Sequence, residues 1–377
     1  MCLFNGISIN LSLRLEEIVL KQGRLNNVLE GMKERGIPQL LISDPAAIFY
    51  LTGRWIHPGE RLLALYININ GNNKLFINEL FPVHEDLGVE KVWFTDNDDG
   101  VSIICDNIEK DKTIGVDKNW PARFLLRLME LKGDTNVVNG SIIVDRCRMF
   151  KDEAEKDFMR TSSHLNDLAM EQIQKFVKEG LSEKQMAQKL SEIYESLGCE
   201  GFSFEPIIAY GANGADPHHG NDGSMVKEGD SVIIDMGCVK DSYCSDMTRT
   251  VFYKSVPEHS KKVFETVLEA NKRAISIVKP GVRFCDIDKA ARDYIESKGY
   301  GKYFTHRTGH SIGLEVHDLG DVSAVNTEEV KPGMIFSIEP GIYIPGEVGV
   351  RIEDLVLVTE DGCEVLNKYN KELVVIG

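Results

Sequence analysis

Residues 231–253 read SVIIDMGCVKDSYCSDMTRTVFY, and this stretch decides how the second half of the chain folds. Two runs rich in β-branched residues, 231–235 and 248–253, flank a polar segment, a pattern typical of an antiparallel hairpin. Asp235 ends the first strand, and Asp246 stands at the start of the returning strand. The hairpin therefore carries two carboxylates on neighbouring strands of an apolar sheet.

The same order of elements occurs twice around this hairpin. Two amphipathic helices precede it, the second opened by a capping box of Ser182 and Gln185. Two further helices precede a second set of strands, so the pattern indicates an internal structural duplication. Helices are expected over 151–180, 182–198, 257–278 and 285–298, and the second strands over 334–338 and 350–359.

The N-terminal third predicts a separate, mixed α/β domain. Helical periodicity runs over residues 13–35, a buried strand is expected over 39–43, and Asn70-Gly71 marks a hairpin between strands 61–67 and 74–78. The pattern changes near residue 150, where the long helix predicted over residues 151–180 begins. We therefore expect an α+β protein with an N-terminal domain of residues 1–148 and a C-terminal domain of residues 149–377.

Composition excludes several classes of function. The chain has 377 residues with a net charge of −16, which argues against non-specific binding to nucleic acids or anionic membranes. Its eight cysteines form no C-x-x-C pair, which favours a reducing, cytoplasmic compartment. No run of 18 apolar residues predicts a membrane span. Phosphate-loop, nucleophile-elbow and H-E-x-x-H motifs are absent from the sequence, so nucleotide chemistry and serine hydrolysis lack support.

Five residues of the C-terminal domain form a candidate metal site. Two are the hairpin aspartates, and the other three are His310, Glu339 and Glu353. Glu353 stands in the middle of the predicted strand 350–359, which is apolar enough to be buried on both faces, so its charge needs a partner or a metal ion. Two divalent cations would balance four such carboxylates, and oxygen-rich ligation with one imidazole suits Mn²⁺ or Co²⁺.

Four motifs in this set resemble those of a known family. Asp235-x₁₀-Asp246, His310-Ser-Ile-Gly-Leu, Ile338-Glu-Pro-Gly and Arg351-Ile-Glu-Asp are similar to the motifs of the pita-bread dinuclear metallopeptidases. That group includes prolidase (Xaa-Pro dipeptidase), aminopeptidase P, methionine aminopeptidase and the metal-free creatinase. The resemblance covers about residues 150–375, and the N-terminal part resembles the first domain of the prolidase, aminopeptidase P and creatinase branch.

The resemblance implies roles for individual residues. Two divalent ions, Mn²⁺ favoured over Co²⁺, Fe²⁺ or Zn²⁺, would share a bridging hydroxide that attacks the peptide carbonyl. Glu339 would also move the proton to the leaving amine, and Arg351 would pair with a metal-bound carboxylate. The implied metal ligands are Asp235, Asp246, His310, Glu339 and Glu353, and the implied substrate-contacting histidines are His218, His306 and His317. His219 has no counterpart in the family and is expected to be structural.

These features favour cleavage of Xaa-Pro bonds by a dipeptidase. The motifs His306-Arg-Thr-Gly-His310 and Asp216-Pro-His-His219 resemble the proline-specific branch, and Arg307 is a candidate contact for the substrate's C terminus. Aminopeptidase P activity on longer peptides stays open, as does a non-catalytic binding protein on the same fold. Creatinase-type chemistry is disfavoured because all five ligands are retained. The resemblance implies a homodimer that acts on small peptides.

Overall fold

The computed structural model describes residues 20–133 and 136–377. The chain divides between Cys147 and Arg148 into two compact units. Among the described residues, no helix is both long and apolar enough to cross a membrane.

The first unit is built on one six-stranded mixed sheet. Its strands lie in the order β4-β3-β2-β1-β5-β6. The strands are β1 (Gln39–Ile42), β2 (Leu63–Asn68), β3 (Lys74–Asn78), β4 (Glu90–Phe94), β5 (Ile114–Val116) and β6 (Val137–Asn139). The first five helices are α1 (Gln22–Glu34), α2 (Pro45–Thr52), α3 (Gly100–Asn107), α4 (Ala122–Lys132) and α5 (Ser141–Met149).

The predicted hairpin of this unit is confirmed, because β2 and β3 pair antiparallel across the Asn70-Gly71 turn. The predicted helix over residues 13–35 is wrong at residues 20 and 21. Residues 13–19 lie outside the described residues, and α1 begins only at Gln22. The backbone N–H groups of Leu20 and Lys21 donate to carbonyls elsewhere in the unit, at 2.9 and 2.8 Å, so these two residues are not helical.

The second unit contains two helix pairs and four sheets. The helices are α6 (Glu153–Ile173), α7 (Glu183–Ser196), α8 (Glu258–Ser276) and α9 (Phe284–Ser297), with 3₁₀ turns at Gln174–Glu179, Gly211–Ala215 and Gly301–Tyr303. The strands are β7 (Gly201–Phe202), β8 (Ile207–Tyr210), β9 (Ser231–Met236), β10 (Cys238–Lys240), β11 (Tyr243–Cys244), β12 (Met247–Tyr253), β13 (Gly309–Ser311), β14 (Asp318–Val322), β15 (Ile335–Ile338), β16 (Gly341–Ile344), β17 (Val348–Arg351), β18 (Asp354–Val358), β19 (Cys363–Val365) and β20 (Val375–Ile376).

The expected duplication is confirmed in this unit. Helices α6 and α7 share one apolar core with the sheet β20-β12-β9-β8. Helices α8 and α9 share a second core with strands of the sheet β14-β13-β15-β18-β19 and of the two-stranded sheet β16-β17. Each helix pair therefore buries its apolar faces against its own strands, which is the physical basis of the repeated pattern. The capping box of Ser182 and Gln185 opens α7 as predicted.

The single strand predicted over residues 350–359 is wrong. β17 ends at Arg351 and β18 begins at Asp354, so Glu353 lies in the connection between two sheets rather than within a strand. The backbone N–H of Glu353 donates instead to the carbonyl of Thr248 in β12, at 3.1 Å. The expected burial on both faces is confirmed, because every residue from Val348 to Val358 is buried.

Candidate metal centre

An open cleft of about 260 Å³ lies in the second unit. The nine residues to which the resemblance assigns metal-binding or catalytic roles all line it. They are Asp235, Asp246, His310, Glu339, Glu353, His218, His306, His317 and Arg351. Sequence reasoning did not find the apolar part of the lining, which includes Phe204, Ile207 and Val316. These three residues belong to no motif and meet only through the fold.

The two halves of the duplication both contribute to the cleft. Asp235 lies on β9 opposite Thr248 of β12, and Asp246 immediately precedes β12. His310 lies on β13, and Glu339 follows β15. The five residues of the candidate metal site, which we call the ligand cluster (Asp235, Asp246, His310, Glu339 and Glu353), are therefore held by strand ends and by one connection between sheets.

A close backbone approach fixes the position of His310. A Cβ atom on Gly309 would lie 1.9 Å from the carbonyl oxygen of Ser337, so only glycine fits there. The hydroxyl of Ser337 accepts the backbone N–H of His310 at 3.0 Å and lies 3.3 Å from Glu339 Oε1, to which it donates. One serine thus links two members of the ligand cluster.

The ligand cluster has oxygen atoms that nothing in the described part of the chain satisfies. Asp235 Oδ1, Asp246 Oδ1 and Glu353 Oε1 are buried and have no hydrogen-bond partner among the described residues. His310 Nε2 lies 3.6 Å from Asp246 Oδ2 and 3.4 Å from Glu339 Oε1. Ligand atoms of Asp246, His310 and Glu353 all lie within 4.8 Å of one another. Unpaired buried carboxylates are costly unless they bind a cation, so the residues present fit divalent metal ions.

The pKa values of the ligand cluster also indicate that it fits divalent metal ions. Burial, together with the neighbouring carboxylates, holds the pKa of Asp246 and the pKa of Glu353 well above their usual range. Burial also raises the pKa of Glu339 to about 7 and lowers the pKa of His310 to about 3. Several carboxylates crowded in an apolar interior resist ionisation, and positive charge at the cluster would relieve that repulsion.

A chain of hydrogen bonds leads away from the cluster. Arg351 Nη2 donates to Asp235 Oδ2 at 2.6 Å, and Arg351 Nη1 donates to the hydroxyl of Tyr343 at 2.8 Å. That hydroxyl lies 2.8 Å from His306 Nε2. Arg351 therefore contacts a carboxylate of the cluster. Tyr343 belongs to none of the motifs, and no signal in the sequence marked it.

The histidines divide into two groups by exposure. His218 and His317 are exposed to the cleft, whereas His306 is partly buried and held by Tyr343. The rings of His310 and His317 lie 4.3 Å apart, centroid to centroid. His219, for which no catalytic role was expected, does not line the cleft and bonds Glu183 instead, at 2.7 Å.

The duplicated fold and this acidic, histidine-containing cleft define a metal-dependent peptidase. The chain belongs to metallopeptidase family M24, whose model matches residues 157–360, and residues 24–150 match the creatinase/prolidase N-terminal domain. The resemblance to the prolidase and aminopeptidase P branch and the α+β pita-bread fold are both confirmed. Membership of this family implies that the protein binds divalent metal ions.

Individual relatives match this chain over nearly its whole length. An uncharacterized peptidase of Staphylococcus saprophyticus is 35% identical over 352 residues, which cover 92% of this chain and 100% of that protein. The crystal structure of a dipeptidase from Pyrococcus horikoshii matches with a TM-score of 0.88 and 33% identity, covering 94% of this chain and 100% of that one. A prolidase from Thermococcus sibiricus matches with a TM-score of 0.87 and 30% identity, covering 94% and 99%.

Proposed function

We propose that this protein is an Xaa-Pro dipeptidase that uses two divalent metal ions. The observation that carries the proposal is the ligand cluster, in which three buried carboxylate oxygens lack a partner among the described residues. Solved structures that resemble the chain support the substrate class, because they are those of a dipeptidase and a prolidase.

The ligand cluster would hold both ions. Its oxygen-rich donor set with one imidazole favours Mn²⁺, and the same residues accept Co²⁺, Fe²⁺ or Zn²⁺. When bound, a pair of such ions supplies Lewis acidity and a hydroxide nucleophile near neutral pH. Arg351 and Thr248 would orient the ligands, since they already donate to Asp235 and to Glu353 Oε2, at 2.6 and 2.7 Å.

The remaining chemistry belongs to side chains of the cleft. The Glu339 carboxylate would take the proton of the nucleophile and deliver it to the leaving proline nitrogen. His218 and His317 would donate hydrogen bonds to the oxygen of the scissile carbonyl, where negative charge develops. His306 would keep a fixed ring orientation, because both ring nitrogens already have partners, Arg307 O at 2.6 Å and Tyr343 Oη at 2.8 Å.

Two features of the cleft suit a dipeptide ending in proline. Phe204, Ile207 and Val316 offer an apolar wall to the pyrrolidine ring. Arg307 also lines the cleft and pairs with Asp321. Its guanidinium would bind the C-terminal carboxylate, which stands next to the scissile bond only in a dipeptide. The resemblance to the prolidase branch further leads us to propose a homodimer, which light scattering tests directly.

The test is proline release from Leu-Pro, compared with Leu-Gly and Leu-Pro-Gly, by metal-stripped protein with and without Mn²⁺. We expect metal-dependent cleavage of Leu-Pro. The variant Asp246→Asn should lose both this activity and the bound metal. The control Asp286→Asn removes a partly exposed acid on α9 that does not line the cleft, and this variant should retain both. Preferential cleavage of Leu-Pro-Gly would assign aminopeptidase P activity instead. Failure to cleave either proline peptide with metal bound would refute the proposal.

A further inference from the structure

Glu183 is a buried acid that lies outside the ligand cluster. It is the first residue of α7, and its side chain is fully buried. Its carboxylate accepts four hydrogen bonds, and all four donors come from residues 210–222, which we call the histidine segment. Oε1 accepts from Tyr210 N and Asn213 Nδ2, both at 2.9 Å, and Oε2 accepts from His219 Nε2 at 2.7 Å and Asp222 N at 3.1 Å.

Two residues of the histidine segment line the cleft. Pro217 and His218 both line it, and residues 216–222 belong to no helix or strand. A tight turn shapes the tip of the segment, where Asp216 accepts the backbone N–H of His218 at its side chain and that of His219 at its carbonyl, at 3.0 and 3.2 Å. Because His218 and His219 are neighbours in this turn, a restraint on one ring acts on the position of the other.

The geometry around Glu183 fits an anchor rather than a metal site. Ligand atoms of Glu183, His219 and Asp222 are close enough to surround a cation. However, each oxygen of Glu183 already accepts two N–H groups, whose hydrogen atoms occupy the directions from which a cation would bind. A carboxylate only accepts, so Nε2 of His219 carries the proton. The helix N-terminus favours the negative charge on Glu183.

We propose that Glu183 and His219 are a positioning pair that holds His218 against the substrate carbonyl. The kinetic part of this inference rests on the proposed function. Since a displacement of about 1 Å can cost about 100-fold in rate, His219→Ala should lower kcat for Leu-Pro by about 10- to 100-fold. The KM should change little, because Arg307 and the apolar wall that bind the dipeptide are untouched.

A double-mutant cycle separates positioning from general structural damage. His219→Ala should have less than about a twofold effect in a His218→Ala background, because its target is then absent. If the double variant instead lost kcat by the product of the two separate effects, the proposal would be overturned. His219→Gln should restore most of the rate, since its amide N–H can still donate to Glu183. The matched control is His259→Ala, which removes an exposed histidine lying 3.6 Å from Glu347 on a surface that does not line the cleft, and it should leave kcat unchanged.

Hydrogen exchange on metal-free protein gives a readout that does not depend on catalysis. His219→Ala and Glu183→Gln should each speed amide exchange in residues 216–222 while leaving β9 protected. Faster exchange in a protein that cleaves no Xaa-Pro peptide would support the anchor and count only against the proposed function. Unchanged exchange, or a wild-type kcat in His219→Ala when the wild type cleaves Leu-Pro, would overturn the positioning pair.

Discussion

Replacement of Arg249 by methionine should destabilise the second unit strongly. Arg249 is only 2% exposed and uses all five of its N–H groups. One group donates to Asp354 Oδ1 at 2.8 Å, and the other four donate to backbone carbonyls. These carbonyls are those of Thr248, Glu353, Tyr369 and Asn370, at 3.0, 2.6, 2.9 and 3.1 Å. One side chain therefore ties β12, the β17–β18 connection and the C-terminal segment together.

The expected loss follows from what remains after the substitution. Methionine fills similar apolar volume, but four carbonyls lose a donor, and Asp354 keeps Lys371 as its charged partner, whose Nζ lies 2.6 Å away. Breaking a buried charge pair costs about 3–5 kcal/mol. At an m-value of about 2 kcal/mol/M, this loss lowers the urea midpoint by about 2 M.

The assay can follow the two units separately. All three tryptophans, Trp55, Trp93 and Trp120, belong to the first unit, so tryptophan fluorescence follows that unit while far-UV circular dichroism follows both. For Arg249→Met, we expect the second unit to unfold at a lower urea concentration than the first. This should appear as a transition in circular dichroism that precedes the transition in tryptophan fluorescence. The control Arg273→Met breaks an exposed pair with Glu269 and should shift the free energy of unfolding by less than about 0.5 kcal/mol. Equal midpoints for the two variants would refute the reasoning.

Three further predictions concern the cleft and one helix start. Arg307→Ala should raise the KM for Leu-Pro by about tenfold or more while sparing Leu-Pro-Gly, because only the dipeptide presents a carboxylate there; equal effects on both peptides would contradict this. Ser182→Ala removes half of the capping box of α7 and should cost about 1 kcal/mol in urea denaturation. Burial, assisted by the charge of Arg351, lowers the pKa of His306 to about 4. At this one group the unfolded state therefore binds more protons between about pH 4 and 6.5, so His306 contributes stability that is lost as the pH drops through that range, whereas Asp246, Glu339 and Glu353, whose pKa values are raised, contribute in the opposite sense. The free energy of unfolding of metal-free His306→Gln, measured relative to the wild type, should therefore rise as the pH drops from about 6.5 to about 4.

The sequence by itself determined most of the architecture and the members of the candidate site. Helix periodicity, the Ser182 capping box and the 231–253 hairpin depend on neighbours a few residues apart, so local patterns were enough to predict them. The nine site residues were recognisable because their types and spacings form motifs. The prediction of a single strand over 350–359 was wrong because it also rested on a local pattern. An apolar run does not show that the chain passes from one sheet to another at Glu353.

Only the tertiary structure decided which side chains meet across large sequence separations. Tyr343 joins Arg351 to His306, and Arg249 reaches the carbonyl of Asn370, although no motif connects these positions. His219 is the clearest case, because its role depends on Glu183, which lies 36 residues earlier on another element. A buried polar group must find partners wherever the packed chain brings them, and the order of residues alone does not specify those partners.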